Sequence, residues 1–187
     1  MIESITSFES VDLSNNLLNS QLIVCDIDNT ILYIPIFKTY AYFYKLVKNM
    51  FPNKSRYILY SEASKLFNEN KKAAYEENSC VTDFIGFQRL LNRIREIDGK
   101  LIYLTARSSY SIQITKKQFE ENGLIYDEAN TYYTNNTIHK GDFLEKVLKI
   151  DTKTPIIFID DLDDNLNNVA YKYPNSKCYK FIYDKSR

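Results

Sequence analysis

Three short apolar runs, each closed by an oxygen-bearing side chain, limit the folds open to this chain more than any other feature. Leu22-Ile-Val-Cys25 runs into Asp26, Leu101-Ile-Tyr-Leu104 into Thr105, and Pro155-Ile-Ile-Phe-Ile159 into Asp160. Runs this short and this continuously apolar suit strands buried on both faces of a parallel sheet, whereas a half-exposed strand alternates. Thr131-Tyr-Tyr133 and Cys178-Tyr-Lys-Phe-Ile-Tyr183 are weaker candidates of the same kind. Helical periodicity fills the intervals. Ile36, Phe37, Tyr40, Phe43, Tyr44, Val47 and Met50 form one amphipathic stripe over 35–51, and Leu59, Ala63, Leu66 and Phe67 form another over 55–69. Further helices are predicted at 82–98, 109–122, 141–149 and 163–173, with Gly99, Gly123 and Pro174 as stop signals. Residues 70–79 are polar and read as a loop.

Strand and helix in alternation specify an α/β doubly wound parallel sheet in three layers. The expected order of the five candidate strands, numbered along the chain, is 3-2-1-4-5. The interval 33–82 is too long for one crossover helix and reads as a small two-helix insertion after the first strand, leaving 1–32 and 83–187 as the core. Its aromatics, Tyr33, Phe37, Tyr40, Tyr42, Phe43, Tyr44, Phe51, Tyr57 and Tyr60, are expected mainly to pack, with some left to stack on a ligand ring. A chain of 187 residues is one domain by length and buries roughly 70% of its unfolded surface, so it needs no disulfide or metal staple.

Scarce residues exclude several chemistries. There is one histidine, His139, and the three cysteines Cys25, Cys80 and Cys178 are scattered, so neither a zinc centre nor a disulfide framework is in view. A reducing, cytoplasmic or otherwise soluble setting is expected, with Cys25 in the core and His139 a bystander. Lys plus Arg equals Asp plus Glu at 24 each, which argues against a nucleic-acid partner. Residues 1–20 carry Glu3, Glu9 and Asp12 and no apolar run of signal-peptide length, and no stretch approaches the roughly 18 apolar residues of a transmembrane helix. The tail Tyr183-Asp-Lys-Ser-Arg187 follows a strand with no closing helix, so a C-terminal targeting region beyond this chain is an expectation. A monomer or homodimer is expected.

Chemistry is carried by the carboxylates at the strand ends. The first strand gives way to Asp26-Ile-Asp28-Asn29-Thr30, the second to Thr105-Ala-Arg107, and the fourth to Asp160-Asp161-Leu-Asp163-Asp164-Asn165, while Lys140 opens a later helix. Ligands of open α/β sheets bind beyond the carboxyl ends of the strands, so these groups can converge on one site. Two carboxylates about 4 Å apart repel by roughly 4 kcal/mol at an effective dielectric near 20. A hard divalent ion, Mg²⁺ above all, offsets that repulsion, and Mg²⁺ completed by phosphate oxygens points to phosphoryl chemistry.

An Asp-x-Asp-x-Thr after an apolar strand, a Thr after a second strand, a Lys opening a later helix and an Asp-Asp after another strand resemble, in this order, the four motifs of the haloacid dehalogenase superfamily. The resemblance spans 22–170, and Asp26-Ile-Asp-Asn-Thr30 with Thr105-Ala-Arg107 looks like its acid-phosphatase-like branch. It implies a Mg²⁺-dependent phosphatase in which Asp26 is the nucleophile that forms an aspartyl-phosphate and Asp28 the general acid and base. Thr105, Lys140, Arg107 and Asn29 would bind the phosphoryl group, with Arg107 open to pairing with an acid instead. Mg²⁺ would be held by Asp26, the Asp28 carbonyl and Asp161, supported by Asp160 and Asn165. Asp161 is preferred to Asp160 as ligand because it leaves Leu166 and Val169 on the packed face of the following helix. Dehalogenases of the superfamily lack the second aspartate, and response-regulator receivers order similar groups differently. The insertion sits where the superfamily places a cap. The substrate is expected to be a phosphorylated small molecule or a phosphoprotein, phosphotyrosine included, with phosphotransfer or a catalytically silent phospho-partner domain as alternatives.

Overall fold

A computed structural model describes residues 2–13, 21–35, 38, 40–76 and 79–183. Their elements in chain order are β1 (Ile2–Ile5), β2 (Leu22–Cys25), β3 (Leu32–Tyr33), α1 (Tyr40–Met50), α2 (Arg56–Glu76), β4 (Cys80–Val81), α3 (Phe84–Glu96), β5 (Lys100–Thr105), α4 (Ile112–Glu121), β6 (Thr131–Tyr133), α5 (Lys140–Lys146), β7 (Ile156–Asp160), α6 (Asp163–Lys172) and β8 (Lys177–Phe181). The chain divides into two compact units, Met1–Tyr33 with Val81–Arg187, and Ile34–Cys80. Ile36 and Phe37, expected to begin the first helix, and the tail after Tyr183 lie outside the described residues.

The larger unit is built on a six-stranded sheet in the order β1-β8-β7-β2-β5-β6. Every ladder described is parallel, with Cys25 opposite Tyr103 on one side and Ile159 on the other. Successive strand residues point to opposite faces, which fixes the two halves of the core. Ile23, Cys25, Tyr103, Ile157 and Ile159 pack with Phe87, Leu90 and Ile94 of α3 and Phe119 of α4. Val24, Ile102, Leu104, Ile156 and Phe158 pack with Phe143 and Leu144 of α5, Leu166 and Val169 of α6, and Tyr173 just past its end. That is the three-layer α/β architecture, with the five expected strands in the expected order.

A sixth strand corrects the count. β1, Ile-Glu-Ser-Ile, adds to the β8 edge with Ile2 opposite Cys178 and Ile5 opposite Phe181. An edge strand is covered on fewer sides, so it carries polar residues and no apolar run for a pattern search to find. The chain beyond it is pinned by Phe8, whose ring is wholly buried against Phe87 and Phe181. Asp83, the N-cap of α3, also accepts from the Ser7 hydroxyl and the Phe8 amide.

In the smaller unit α1 and α2 pack around Phe43, Val47, Leu59 and Ala63, with Tyr40, Tyr44, Leu66 and Phe67 about them. Residues 70–76, expected as loop, continue α2 instead. Ala74 and Tyr75 are buried there, and Lys71 lies over the Tyr75 ring, so the polar residues coat a helix whose inner side still packs. The aromatics are not all buried: Tyr42, Phe51, Tyr57 and Tyr60 stand exposed, Tyr42 with an edge against Phe43 and Tyr60 against Tyr40 and Tyr44. Among the described residues no helix is long and apolar enough to cross a membrane.

Candidate active site

The carboxyl ends of β7, β2, β5 and β6 carry, side by side, Asp160, Asp26, Thr105 and Thr134. Two backbone bonds extend the ladders past the strand ends, Asp26 N–H to the Ile159 carbonyl and Thr134 N–H to the Thr105 carbonyl, each 2.9 Å. The polar side chains are thereby held by sheet geometry rather than by loose loops.

After Asp26 the backbone folds back at once. Ile31 and Leu32 donate to the Ile27 carbonyl and Asn29 donates to Leu32. Asn29 has φ 58°, a left-handed conformation that asparagine tolerates better than most residues. The turn presents Asp26 and Asp28 from neighbouring positions and brings the Asn29 side chain near Asp161, whose ionised form it favours. Asn29, expected among the phosphate-binding groups, has its side chain beside Asp161.

Lys140, at the first turn of α5, is 2% exposed and its ammonium bonds both Asp26 and Asp160, the latter at 2.7 Å. The close approach of α5 to α6 that puts it there depends on Gly141. Its amide donates to Asn168 Oδ1 at 2.8 Å, and a Cβ at that position would lie 2.5 Å from the same oxygen. Burial opposes the charged ammonium, yet Asp160 and Asp26 outweigh it and hold Lys140 above its ordinary value.

One carboxylate oxygen each of Asp26, Asp160 and Asp161 lies within 4.8 Å of the others. Burial, first, and then the neighbouring carboxylates push Asp26 well above the ordinary range despite Lys140. Asp161 is pushed up to about 7 by burial and by Asp160. Three carboxylates face one ammonium, so the ionised cluster carries two surplus negative charges, the charge one divalent cation offsets. The donors are all hard oxygens, which fits Mg²⁺. The members differ in how much of their capacity is free. Asp160 is fully buried and takes Lys140, the Leu162 amide at 2.8 Å and the Asn165 amide at 3.1 and 3.0 Å. Asp160 and Asn165 thus brace each other, while Asp161 has oxygen lone pairs to give. Asp163 and Asp164 are exposed.

Arg107 departs from the sequence expectation. It was placed among phosphate-binding residues with pairing to an acid left open, and pairing is what the structure has. Its guanidinium is fully buried and clamps Asp28 through Nε at 2.9 Å and Nη2 at 2.7 Å, while Nη1 donates to Thr115 at 2.9 Å and Gln118 at 2.8 Å. Four of its five N–H donors are engaged in this way, so the guanidinium serves chiefly to hold Asp28. Thr105 is fully buried, and its hydroxyl accepts the Arg107 amide at 3.1 Å, which leaves its own proton to donate.

Sequence reasoning did not single out Thr115, Gln118 or Thr134. The first two lie on α4 at a spacing of three, the inward face of that helix, which was a legible signal. Thr134 is 2% exposed with a hydroxyl that has no hydrogen-bond partner among the described residues. It lines a cavity of about 140 Å³ shared with Ala106, His139, Lys140 and Asn165. Nothing but its place after a weak strand marked it.

No family model matches this sequence, and no curated protein matches it. Solved structures do. A HAD hydrolase of family IA, variant 3, from Entamoeba histolytica aligns with 88% of this chain and 85% of its own at 11% identity and a TM-score of 0.58. A class C acid phosphatase from Bacillus anthracis aligns with 92% of this chain and 70% of its own at 13% identity and a TM-score of 0.52. A HAD family enzyme from Bacteroides thetaiotaomicron, in complex with magnesium and inorganic phosphate, aligns with 89% of this chain and 96% of its own at 12% identity and a TM-score of 0.52. The chain has the haloacid dehalogenase-type fold.

Proposed function

From this fold and the side chains at its strand ends, we propose that the chain is a Mg²⁺-dependent phosphomonoesterase working through an aspartyl-phosphate. The observation that carries the reading is the cluster of Asp26, Asp160 and Asp161 around the single ammonium of Lys140. In the reaction a carboxylate oxygen of Asp26 attacks phosphorus, the ester P–O bond breaks, and Asp28 delivers a proton to the departing oxygen. Asp28 then takes a proton from water, whose oxygen attacks phosphorus and releases phosphate from Asp26. Thr105 donates to a phosphoryl oxygen, and Lys140 balances the charge that gathers there. Asp26, Asp161 and the Asp28 carbonyl would hold Mg²⁺, which when bound supplies neutralisation of the phosphoryl oxygens. Arg107 and Asp160 hold Asp28 and Lys140 in place. The unit Ile34–Cys80 would act as a cap.

An aryl phosphate assay tests this. Turnover is expected with Mg²⁺, none with EDTA, and a loss of at least about 10³-fold for Asp26→Asn, since removing a nucleophile removes the whole covalent route. Turnover in EDTA, or substantial turnover by Asp26→Asn, contradicts it. The finer reading is phosphotyrosine on a protein as substrate. The aromatic content of the insertion supports it, and a phosphotyrosine peptide hydrolysed no faster than glycerol phosphate would sink it.

A further inference from the structure

The chain is neutral overall, but its charges are not evenly placed. Between Asp28 and Glu62 there is no acidic residue, while Lys38, Lys45, Lys48, Lys54 and Arg56 all fall in that interval. The last four surround the turn that joins α1 to α2, and all four are exposed. None is paired with a carboxylate among the described residues, although Arg89, Lys117, Lys146, Lys172, Lys177 and Lys180 elsewhere each are.

The helical pair also exposes large apolar side chains, most of them close to this turn. Tyr42, Leu46 and Met50 recur every four residues, one stripe along α1 beside the buried line of Phe43 and Val47. Phe51 follows in the turn, and Tyr57 and Ile58 open α2; Met50 is 59% exposed and Tyr57 83%. Within the pair, the turn lies at the opposite end from Lys38, whose amide donates to Asn70, well along α2. Single exposed apolar residues are ordinary, but six within 17 positions, interleaved with four cations that no carboxylate pairs among the described residues, are not.

We propose that this end of the 34–80 unit is a docking surface for a bilayer that contains anionic phospholipid. Cations attract headgroup phosphates and carboxylates, and leucine, methionine, phenylalanine and tyrosine side chains sink into the headgroup–acyl boundary, with long lysine stems reaching back to the charged layer. Aliphatic Leu46, Met50 and Ile58 distinguish this surface from one for nucleic acid, which would take the cations and the aromatic rings but gain nothing from exposed aliphatics. The contact is peripheral, consistent with the lack of a spanning helix among the described residues.

The test is co-sedimentation of the full chain with vesicles of phosphatidylcholine alone and of phosphatidylcholine mixed with phosphatidylserine. Binding is expected only to the mixed vesicles, and salt should weaken it. Lys45→Glu, Lys48→Glu and Lys54→Glu together are expected to weaken it about 100-fold or more, at about fivefold for each lost cation. Met50→Ser with Phe51→Ser is expected to weaken it at least about tenfold. All these positions are exposed, and an unchanged thermal melt confirms that each variant folds. The proposal is overturned if the protein ignores the mixed vesicles, if either variant binds them as the parent does, or if a single-stranded oligonucleotide binds as tightly and the serine variant binds it unchanged. None of these outcomes depends on phosphatase activity.

Discussion

Replacing Arg107 by methionine removes the clamp on Asp28 while keeping most of the side-chain volume. Arg107 is 0% exposed and Asp28 30%. Taking one partner from a buried ion pair costs about 3–5 kcal/mol, because the other charge stays behind. Asp28 is open enough for water to take over part of the guanidinium's role, which argues for the lower end. Thr115 and Gln118, both buried, lose their donor too, at about 1 kcal/mol each when imperfectly repaired. The sum is about 5 kcal/mol, or roughly 10–20 °C in Tm for a chain of this size. Activity should fall about 100-fold through kcat, the low end of what a misplaced general acid costs. Differential scanning calorimetry and initial rates with an aryl phosphate measure the two effects. Arg107→Lys separates them. It restores a cation and some stability, but a single ammonium cannot grip both carboxylate oxygens, so kcat should stay low. A methionine variant that melts within about 1 °C of the parent and keeps its kcat would refute the clamp.

Other consequences follow from the same geometry. Because Asp161 is held at about 7, and Asp26 is raised as well, Mg²⁺ must displace protons below neutrality. Apparent Mg²⁺ affinity, read by activity titration, should weaken as pH falls through about 7, by up to about tenfold per pH unit for each proton displaced. In the absence of metal the sign for stability is opposite. Asp161 is protonated in the folded state up to about 7 but ionises near 3.8 when unfolded, so its contribution falls as pH rises through that window, as urea titrations with EDTA should show. Thr134→Val, which deletes the unpartnered hydroxyl beside Lys140, should lower kcat/KM about tenfold, with Thr134→Ser near normal. Equal rates for the two would mean that the hydroxyl serves no substrate. Phe8→Ala should cost about 3–5 kcal/mol in chemical denaturation, since its ring is wholly buried between Phe87 and Phe181. A loss below about 1 kcal/mol would mean that the N-terminal segment is not docked as described.

Legibility in the sequence tracked burial on two faces. Strands β2, β5 and β7 lie inside the sheet, so apart from Lys100 at the start of β5 the positions are apolar and the run stands out until a functional side chain ends it. The same endings exposed Asp26, Thr105 and Asp160 as site residues, because a carboxylate or hydroxyl directly after a buried strand has few structural uses. β1 sits at an edge and carries two adjacent polar residues, Glu3 and Ser4, which hid it. The inner side of α2 over 70–76 rests on two residues, Ala74 and Tyr75, too few to outweigh the polar ones around them. Arg107 and Asn29 were found as members of the site, but which neighbours they take was not legible. Spacing along the chain says which residues reach a strand end, not which side of the carboxylates they approach from. Thr134 was missed because a hydroxyl after a short strand of tyrosines looks like any loop threonine until its lack of a partner is seen.

Asp26 as the covalent nucleophile is the central claim, and the most direct measurement of it is a rapid acid quench during turnover of an aryl phosphate with Mg²⁺, followed by peptide mass mapping. A phosphoryl group on the peptide that contains Asp26, absent from Asp26→Asn, is the predicted result. Phosphoryl on any other residue, or an Asp26→Asn enzyme that turns over at the parent rate, would contradict the account.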